Sequence, residues 1–167
     1  MNSRQQELHK AIEFVRNTFA DRRIHLDYST ESVKHLDKLL DDEFKKGKLK
    51  NPEGSFAKFQ GLIMIGISGY LAQVILKNAT QAKLDINEDD QNWFINFKIT
   101  GPFNQVIQPG QRVLKRVQYG SEAELYQYVR SAIKYFSDPA SKMPDDSEIG
   151  IRSVVEKKKP WWKFWQR

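Results

Sequence analysis

Apolar residues recur at helical spacing along the first third of the chain. In the first segment they fall three or four positions apart, which places four of them on one helix face: Leu8, Ile12, Val15 and Phe19. A second segment repeats the pattern from Val33 to Phe44. Ser29 precedes it, and its hydroxyl oxygen is expected to accept a backbone amide hydrogen where the helix begins. Gly47 is predicted to end this helix.

A third segment, Phe56 to about Asn78, is apolar nearly all round in its middle, which predicts a helix through the core. Gly61, Gly66 and Gly69 would each cost about 1 kcal/mol of helix propensity at exposed positions. We expect them to allow another backbone to approach closely. The apolar stretch 61–76 is shorter than the ~20 residues that span a bilayer, which favours a buried helix over a membrane span.

Beyond the third helix the pattern changes from a period of 3.6 to a period of two. Residues 82–86 predict a short strand, and an acidic turn follows it. The clearest alternation comes next, with apolar residues at every second position: Trp93, Ile95, Phe97 and Ile99. Residues 103–107 predict a third strand and 111–117 a short helix. Ser121 and Glu124 form a capping box that opens a last helix, which ends at Phe136.

These elements follow the order helices, strands, helix, which is typical of the α+β class. We predict a small antiparallel sheet of about three strands packed against three to four helices. Residues 1–137 are predicted to form this single domain. Residues 138–155 are rich in polar residues and proline and are predicted to be a linker, and 156–167 a tail.

The chain resembles a family of uncharacterised bacterial proteins that share a domain of unknown function. The resemblance spans about 26–136 and depends on a few motifs: Leu26-Asp27-Tyr28-Ser29, the stretch from Gly66 to Val74, Trp93, Pro102-Phe103 and a tyrosine-rich last helix. It implies a bacterial origin, but no activity, since the family has none established. Gln73 stands where such relatives often have an acidic residue, which weakens any shared acidic site.

The residue types present exclude or disfavour several kinds of chemistry. The 167 residues contain no cysteine, which excludes disulfides and thiolate metal sites. The three histidines lack metal-ligand spacing, and the acidic turn lacks the glycine and final glutamate of a calcium loop. No nucleophile elbow or phosphate-binding glycine loop is present. We therefore predict no cofactor, no metal and no enzymatic activity. The N-terminus lacks the apolar segment of a signal peptide, which favours the cytoplasm.

Positive charge is concentrated at the C-terminus. Residues 152–167 contain six basic residues and one acid, a net charge of +5, whereas the other 151 residues have a net charge of +1. Three of the four tryptophans lie in the last seven positions. The candidate contact residues of this tail are five basic and four aromatic side chains: Lys157, Lys158, Lys159, Lys163, Arg167, Trp161, Trp162, Phe164 and Trp165.

Indole rings favour the membrane–water boundary, and nearby lysines attract anionic lipid headgroups. The tail therefore predicts a non-catalytic binding or adaptor domain in the cytoplasm, tethered reversibly to the inner membrane surface or to a protein partner. The tail could also fold onto its own domain, or stack on nucleic-acid bases. Nucleic acid is disfavoured because the body has no basic groove. Nothing in the pattern indicates an oligomeric state.

Two other functional hypotheses remain open. The first is an enzyme with a small pocket formed by Asp27, Tyr28, Tyr70 and Gln73, should their elements meet in the fold. Asp27 directly precedes a predicted helix start, so helix capping is the simpler interpretation of that residue. The second is an inhibitor of the toxin-immunity type, since small bacterial α+β domains with nearly neutral bodies often have that role.

Overall fold

The computed structural model describes residues 3–45, 47–138 and 140–143. Within these ranges the chain forms six helices: α1 (Ser3–Ala20), α2 (Val33–Glu43), α3 (Ser55–Asn78), α4 (Trp93–Asn96), α5 (Pro109–Tyr119) and α6 (Leu125–Ser137). It also forms five short strands: β1 (Phe44–Lys45), β2 (Lys48–Leu49), β3 (Lys83–Asp85), β4 (Lys98–Thr100) and β5 (Val106–Ile107). A 3-10 turn, Gly120–Ala123, joins α5 to α6.

The strands form two small antiparallel sheets. β1 pairs with β2, and the larger sheet has the order β3-β4-β5. In the larger sheet Ile99 lies opposite Leu84 on one side and Ile107 on the other. This combination confirms the predicted α+β class. The three strands of the larger sheet and the α5 helix overlap the predicted segments, although each of these strands is shorter than predicted and α5 is longer. The β1–β2 hairpin was not predicted.

α3 is the central helix of the core, and α1 packs along it. Two glycines of α3 lie in this contact. A Cβ at Gly66 would lie 2.3 Å from the carbonyl oxygen of Ala11, and one at Gly69 would lie 2.7 Å from Cδ1 of Leu8. The predicted close approach of another backbone is thus confirmed for Gly66, and the partner is α1, whereas Gly69 makes room for side chains of the same helix. α5 and α6 also contact α3.

By length and composition α3 could cross a membrane, over residues Phe56–Asn78. The argument from the length of the apolar stretch is therefore wrong, because the helix extends beyond that stretch at both ends. Of its most apolar window, 61% is buried inside the domain. Burial against α1, α5 and α6 gives the apolar surface of α3 a protein environment.

The predicted strand at Trp93 is wrong in its first half, where the chain forms the helical turn α4. The carboxylate of Asp90 accepts hydrogen bonds from the Asn92 amide at 2.8 Å and from the Asn96 side chain at 2.9 Å. The bond from Asn96 lowers the pKa of Asp90. Every apolar position of the pattern is still buried, because α3 and α5 both contact this turn. The alternation of apolar residues in the sequence therefore reflects a helical turn that is covered on two sides, by α3 and by α5.

The end of α2 also differs from the sequence-based prediction. The helix ends at Glu43, and Phe44 adopts an extended backbone with φ −119° and ψ 151°. Gly47, predicted to end the helix, lies in the β1–β2 hairpin with φ 77°, and its amide donates to the Val117 carbonyl at 3.0 Å. Phe44 remains buried because its ring packs edge-on against Phe56 at 5.5 Å.

Candidate functional site

The predicted tail, 156–167, lies outside the described residues, as does most of the predicted linker. The nine candidate contact residues of the tail therefore remain predictions. α6 ends at Ser137, and Met143, at the end of the described residues, lines a cavity at the start of the same helix. Within the described residues, four large apolar side chains are exposed: Phe59, Leu62, Phe103 and Val106.

The structure brings Tyr28 and Tyr70 of the candidate pocket together. Their rings stack with centroids 5.0 Å apart and planes 19° apart. Tyr28 has a left-handed backbone, with φ 63°, which turns its amide towards α3. That amide donates to the Tyr70 hydroxyl at 2.7 Å, and the Ser32 hydroxyl lies 2.6 Å from the same oxygen. The Tyr70 hydroxyl therefore joins the segment before α2 to the centre of α3.

Neither Asp27 nor Gln73 makes a hydrogen bond with Tyr70 among the described residues, although Asp27 directly precedes Tyr28. The exposed carboxylate of Asp27 accepts the Ser29 amide hydrogen at 2.9 Å, and the hydrogen bond from the Ser29 side chain is the largest cause of the lowered pKa of Asp27. Asp27 thus stabilises a turn. The Ser29 hydroxyl oxygen accepts the Ser32 amide hydrogen at 3.2 Å within the same segment, but α2 begins only at Val33 and has no side-chain cap, so the predicted cap by Ser29 is wrong. Gln73 is half-buried, and no hydrogen bond among the described residues joins it to the other three.

The surroundings of Tyr70 are those of a core residue. Its side chain is fully buried, and burial raises the pKa of its hydroxyl. A buried phenol whose hydroxyl is hydrogen-bonded to two neighbouring groups stabilises local structure, and its raised pKa makes it a weak proton donor at neutral pH. Three cavities in the described part of the chain are lined by other residues. The enzyme hypothesis for this group of residues stays a prediction, and their described contacts are structural.

We expect the substitution Tyr70→Phe to lower the free energy of unfolding by about 1–2 kcal/mol. It leaves the part-buried Tyr28 amide without its acceptor, and it leaves the Ser32 hydroxyl, whose own hydrogen is donated to the Ser29 carbonyl, without a donor. Urea denaturation followed by circular dichroism measures the change. Tyr119→Phe is the matched control, since the Tyr119 hydroxyl makes no hydrogen bond within the described residues. Equal stability of the two variants would show that the Tyr70 hydroxyl is not a structural link.

A buried ionic cluster joins α2, α5 and α6, and the sequence analysis missed it. Arg116 of α5 donates from Nε to Oδ1 of Asp37 at 2.7 Å and from Nη2 to the Asp37 carbonyl at 3.1 Å. Nη2 also lies 2.7 Å from Oδ1 of Asp41. Burial lowers the pKa of Arg116, but the hydrogen bonds with Asp37 and Asp41 outweigh it and raise the pKa overall.

Asp37 also caps the N-terminus of α6. Its Oδ1 accepts the Leu125 amide hydrogen at 2.9 Å, and its Oδ2 accepts the Tyr126 amide hydrogen at 2.9 Å. The predicted capping box of Ser121 and Glu124 is therefore wrong. Neither side chain caps α6, since a carboxylate from α2 occupies that position and Ser121 belongs to the preceding 3-10 turn.

A cavity of about 210 Å³ adjoins the start of α6, and its lining includes Arg112, Tyr128 and Ser131. The guanidinium of Arg112 lies over the Tyr128 ring, 5.3 Å from its centroid. Burial lowers the pKa of Arg112 and raises that of Tyr128. Glu122 and Glu124 also line this cavity, so that charges of both signs face it. Nη2 of Arg112 donates to the Glu124 carbonyl at 3.3 Å, which links α5 to the residue before α6.

The chain matches no family model, no curated protein and no solved structure in comparisons with known proteins. The resemblance to a bacterial family of unknown function therefore stays a prediction. Any functional conclusion must come from the residues of this chain and their arrangement.

Proposed function

We propose that this chain is a non-catalytic binding or adaptor domain of the bacterial cytoplasm, tethered by its tail to the anionic inner surface of the membrane. The observation that carries the proposal is the separation of charge. Residues 152–167 have a net charge of +5 and contain three tryptophans, whereas the rest of the chain has a net charge of +1. A protein partner that recognises the same tail is the alternative.

The contacts within the described domain support the assignment of membrane binding to the tail. The fourth tryptophan, Trp93, is buried in the core, where its ring contacts Phe94 and Arg4. The Tyr28 amide, the Tyr70 hydroxyl and the Asp37 carboxylate are engaged in structural hydrogen bonds. A nearly neutral body has little long-range attraction for lipid or nucleic acid, so the tail is the part best suited to bind an anionic surface.

The composition of the tail suits reversible attachment. Each basic residue near an anionic bilayer contributes about 1 kcal/mol, and the contribution decreases as salt is added. Tryptophan and phenylalanine add binding that salt does not screen, because their rings partition into the interfacial region. Salt should therefore weaken the attachment without abolishing it.

Deletion of the tail is expected to weaken binding to anionic vesicles at least tenfold, because each basic residue removed contributes about 1 kcal/mol at such a surface. The full chain and a chain that ends at Glu156 would be compared by co-sedimentation with vesicles of phosphatidylglycerol and phosphatidylcholine. Vesicles of phosphatidylcholine alone provide the uncharged control surface.

Two full-length variants separate the aromatic from the electrostatic contribution of the tail to vesicle binding. Replacement of Trp161, Trp162 and Trp165 by serine removes the rings and keeps the charge, so its residual binding should disappear at high salt. Replacement of Lys157, Lys158 and Lys159 by glutamine should make the remaining binding less sensitive to salt, because only Lys163 and Arg167 of the five basic contact residues keep their charge. Equal binding of the full and truncated chains would reject the tail as the tether, and no binding by the full chain would reject the membrane as its target.

A further inference from the structure

Charge is unevenly distributed within the domain, although the body as a whole is nearly neutral. Residues 44–62, which comprise the β1–β2 hairpin and the beginning of α3, contain five lysines and one acid, a net charge of +4. Asp42 and Glu43, in the last turn of α2, reduce this charge to +2 when they are included. Residues 79–108, which contain the β3-β4-β5 sheet and the acidic turn, have two lysines and four acids, a net charge of −2.

These two oppositely charged segments lie at the two ends of α3. The ring of Phe44 in β1 packs against that of Phe56, in the first turn of α3. Phe103, in the turn between β4 and β5, lines a cavity together with Asn78, the last residue of α3. Since α3 has 24 residues, it is about 36 Å long. The domain therefore has a positive end at the β1–β2 hairpin and a negative end at the larger sheet.

The positive end also exposes two large apolar side chains. Phe59 and Leu62 are both exposed, and their spacing of three residues makes them neighbours on the surface of α3. Lys58 lies one turn before Leu62, so a cation adjoins the apolar pair. We call this surface the hairpin end and define it by six exposed residues: Lys45, Lys48, Lys50, Lys58, Phe59 and Leu62.

The lysines of the β1–β2 hairpin repel one another. Lys45 lies opposite Lys48 in the register of the two strands, an arrangement in which like charges destabilise the strand pair. The carboxylate of Asp41, at the end of α2, pairs with the buried Arg116 at 2.7 Å. Lys50 donates from Nζ to the carbonyl of Asp41 at 2.6 Å, so this bond does not neutralise its charge. An anionic surface would relieve the repulsion between the lysines.

The chain has turned back from the sheet end at the last described residue. α6 ends next to the turn between β4 and β5, but Met143 lies at the start of α6, in a cavity that Arg112 also lines. Five residues further along α5, a distance of about 8 Å, the carbonyl of Val117 accepts the amide hydrogen of Gly47 in the hairpin. Residues 144–156 can span up to about 45 Å, so the tail and the hairpin end can reach one surface.

We propose that the hairpin end faces the anionic membrane that the tail binds, with its lysines among the headgroups and with Phe59 and Leu62 in the interfacial region. The inference rests on the proposed function. Once the tail is bound, this second contact is an intramolecular step. The anionic surface attracts the positive end of the domain and repels the negative end, so charge sets the orientation. The larger sheet and the acidic turn then face away from the lipid.

Fluorescence of a single label tests this orientation, because the chain contains no cysteine of its own. An environment-sensitive fluorophore is attached to a Phe59→Cys variant of the full chain and, as the matched control, to a Phe103→Cys variant. Phe59 is 50% exposed and Phe103 is 53% exposed, so the two labels begin in similar surroundings. With vesicles of phosphatidylglycerol and phosphatidylcholine, the label at 59 should shift to the blue and the label at 103 should not. Equal shifts, or none at 59, would overturn the inference.

Affinity for the same vesicles provides a second measurement. The double substitution Lys45→Gln with Lys48→Gln removes two cations from the hairpin end, and Lys83→Gln with Lys98→Gln removes two from the sheet end. Both variants lower the net charge equally, so a difference between them reports the position of the charge. At low salt the first variant should bind about tenfold more weakly than the wild-type chain, and the second less than threefold. Thermal unfolding establishes that both variants fold.

The outcomes distinguish this inference from the proposed function. If the wild-type chain binds vesicles and loses binding without the tail, but the two double variants bind equally, the tether stands and the second contact is wrong. If the wild-type chain does not bind vesicles, both are wrong. If the Lys45 and Lys48 substitutions weaken binding to an RNA oligonucleotide but not to vesicles, the hairpin end contacts nucleic acid and the inference is wrong.

Discussion

Replacing Asp37 by asparagine is expected to lower the free energy of unfolding by about 3–5 kcal/mol, because the Arg116 guanidinium then remains buried without its main counter-charge. Arg116 is 2% exposed, so water cannot take the place of the lost carboxylate. The substitution also weakens the cap of α6, since an amide group can accept from the Leu125 or the Tyr126 amide but not from both. Urea denaturation followed by circular dichroism measures the loss.

Asp42→Asn is the matched control, because Asp42 is exposed on the same helix and its replacement should change stability by less than about 0.5 kcal/mol. A double variant, Asp37→Leu with Arg116→Met, separates pairing from capping. Replacing both charges restores the part of the stability that depends on pairing, and leaves the loss of the α6 cap. A loss below about 1 kcal/mol for Asp37→Asn would show that water reaches the cluster.

A second large loss of stability is expected for Gly66→Val, about 3–5 kcal/mol, among the largest effects of single substitutions. The new Cβ would lie 2.3 Å from the Ala11 carbonyl oxygen and 2.5 Å from Cγ2 of Val15. Backbone cannot move aside as a side chain can, so α1 must shift along its contact with α3. The gain in helix propensity over glycine is below about 1 kcal/mol and does not offset this overpacking.

Lys77→Val introduces the same side chain at an exposed position of α3, where it affects only helix propensity. It should change stability by less than about 1 kcal/mol. Thermal and urea unfolding of the two variants measure the difference. Comparable stability for Gly66→Val and the wild-type chain would mean that α1 and α3 are not in close contact at this position.

Features determined by neighbouring residues could be predicted from the sequence. Leu8, Ile12, Val15 and Phe19 are all buried, because a helix of period 3.6 repeats its face every three or four residues. The extent of α3 was predicted from another local feature, its continuous apolar stretch between polar residues. The prediction of a strand at Trp93 was wrong because apolar residues also recur at every second position when a short helical turn is covered on two sides.

Features determined by distant residues could not be predicted. The cap of α6 comes from α2, and no local pattern around Leu125 indicates an external carboxylate. Asp37 reads in the sequence as one of several acids on a polar helix face. Similarly, Tyr28 and Tyr70 could be proposed as neighbours, but the position of Ser32 at the Tyr70 hydroxyl depends on the fold. Phe103 was assigned to a strand, where an aromatic side chain is unexceptional.

The distance along the chain between Asp37 and its partners has a consequence for synthesis on the ribosome. Those partners follow it by 79 residues at Arg116, 88 at Leu125 and 89 at Tyr126. A nascent chain can form the α1–α3 contact well before it can satisfy this carboxylate. Arg116 must leave the exit tunnel before α2 gains its counter-charge, so this part of the domain can close only after more than two thirds of the polypeptide has been translated.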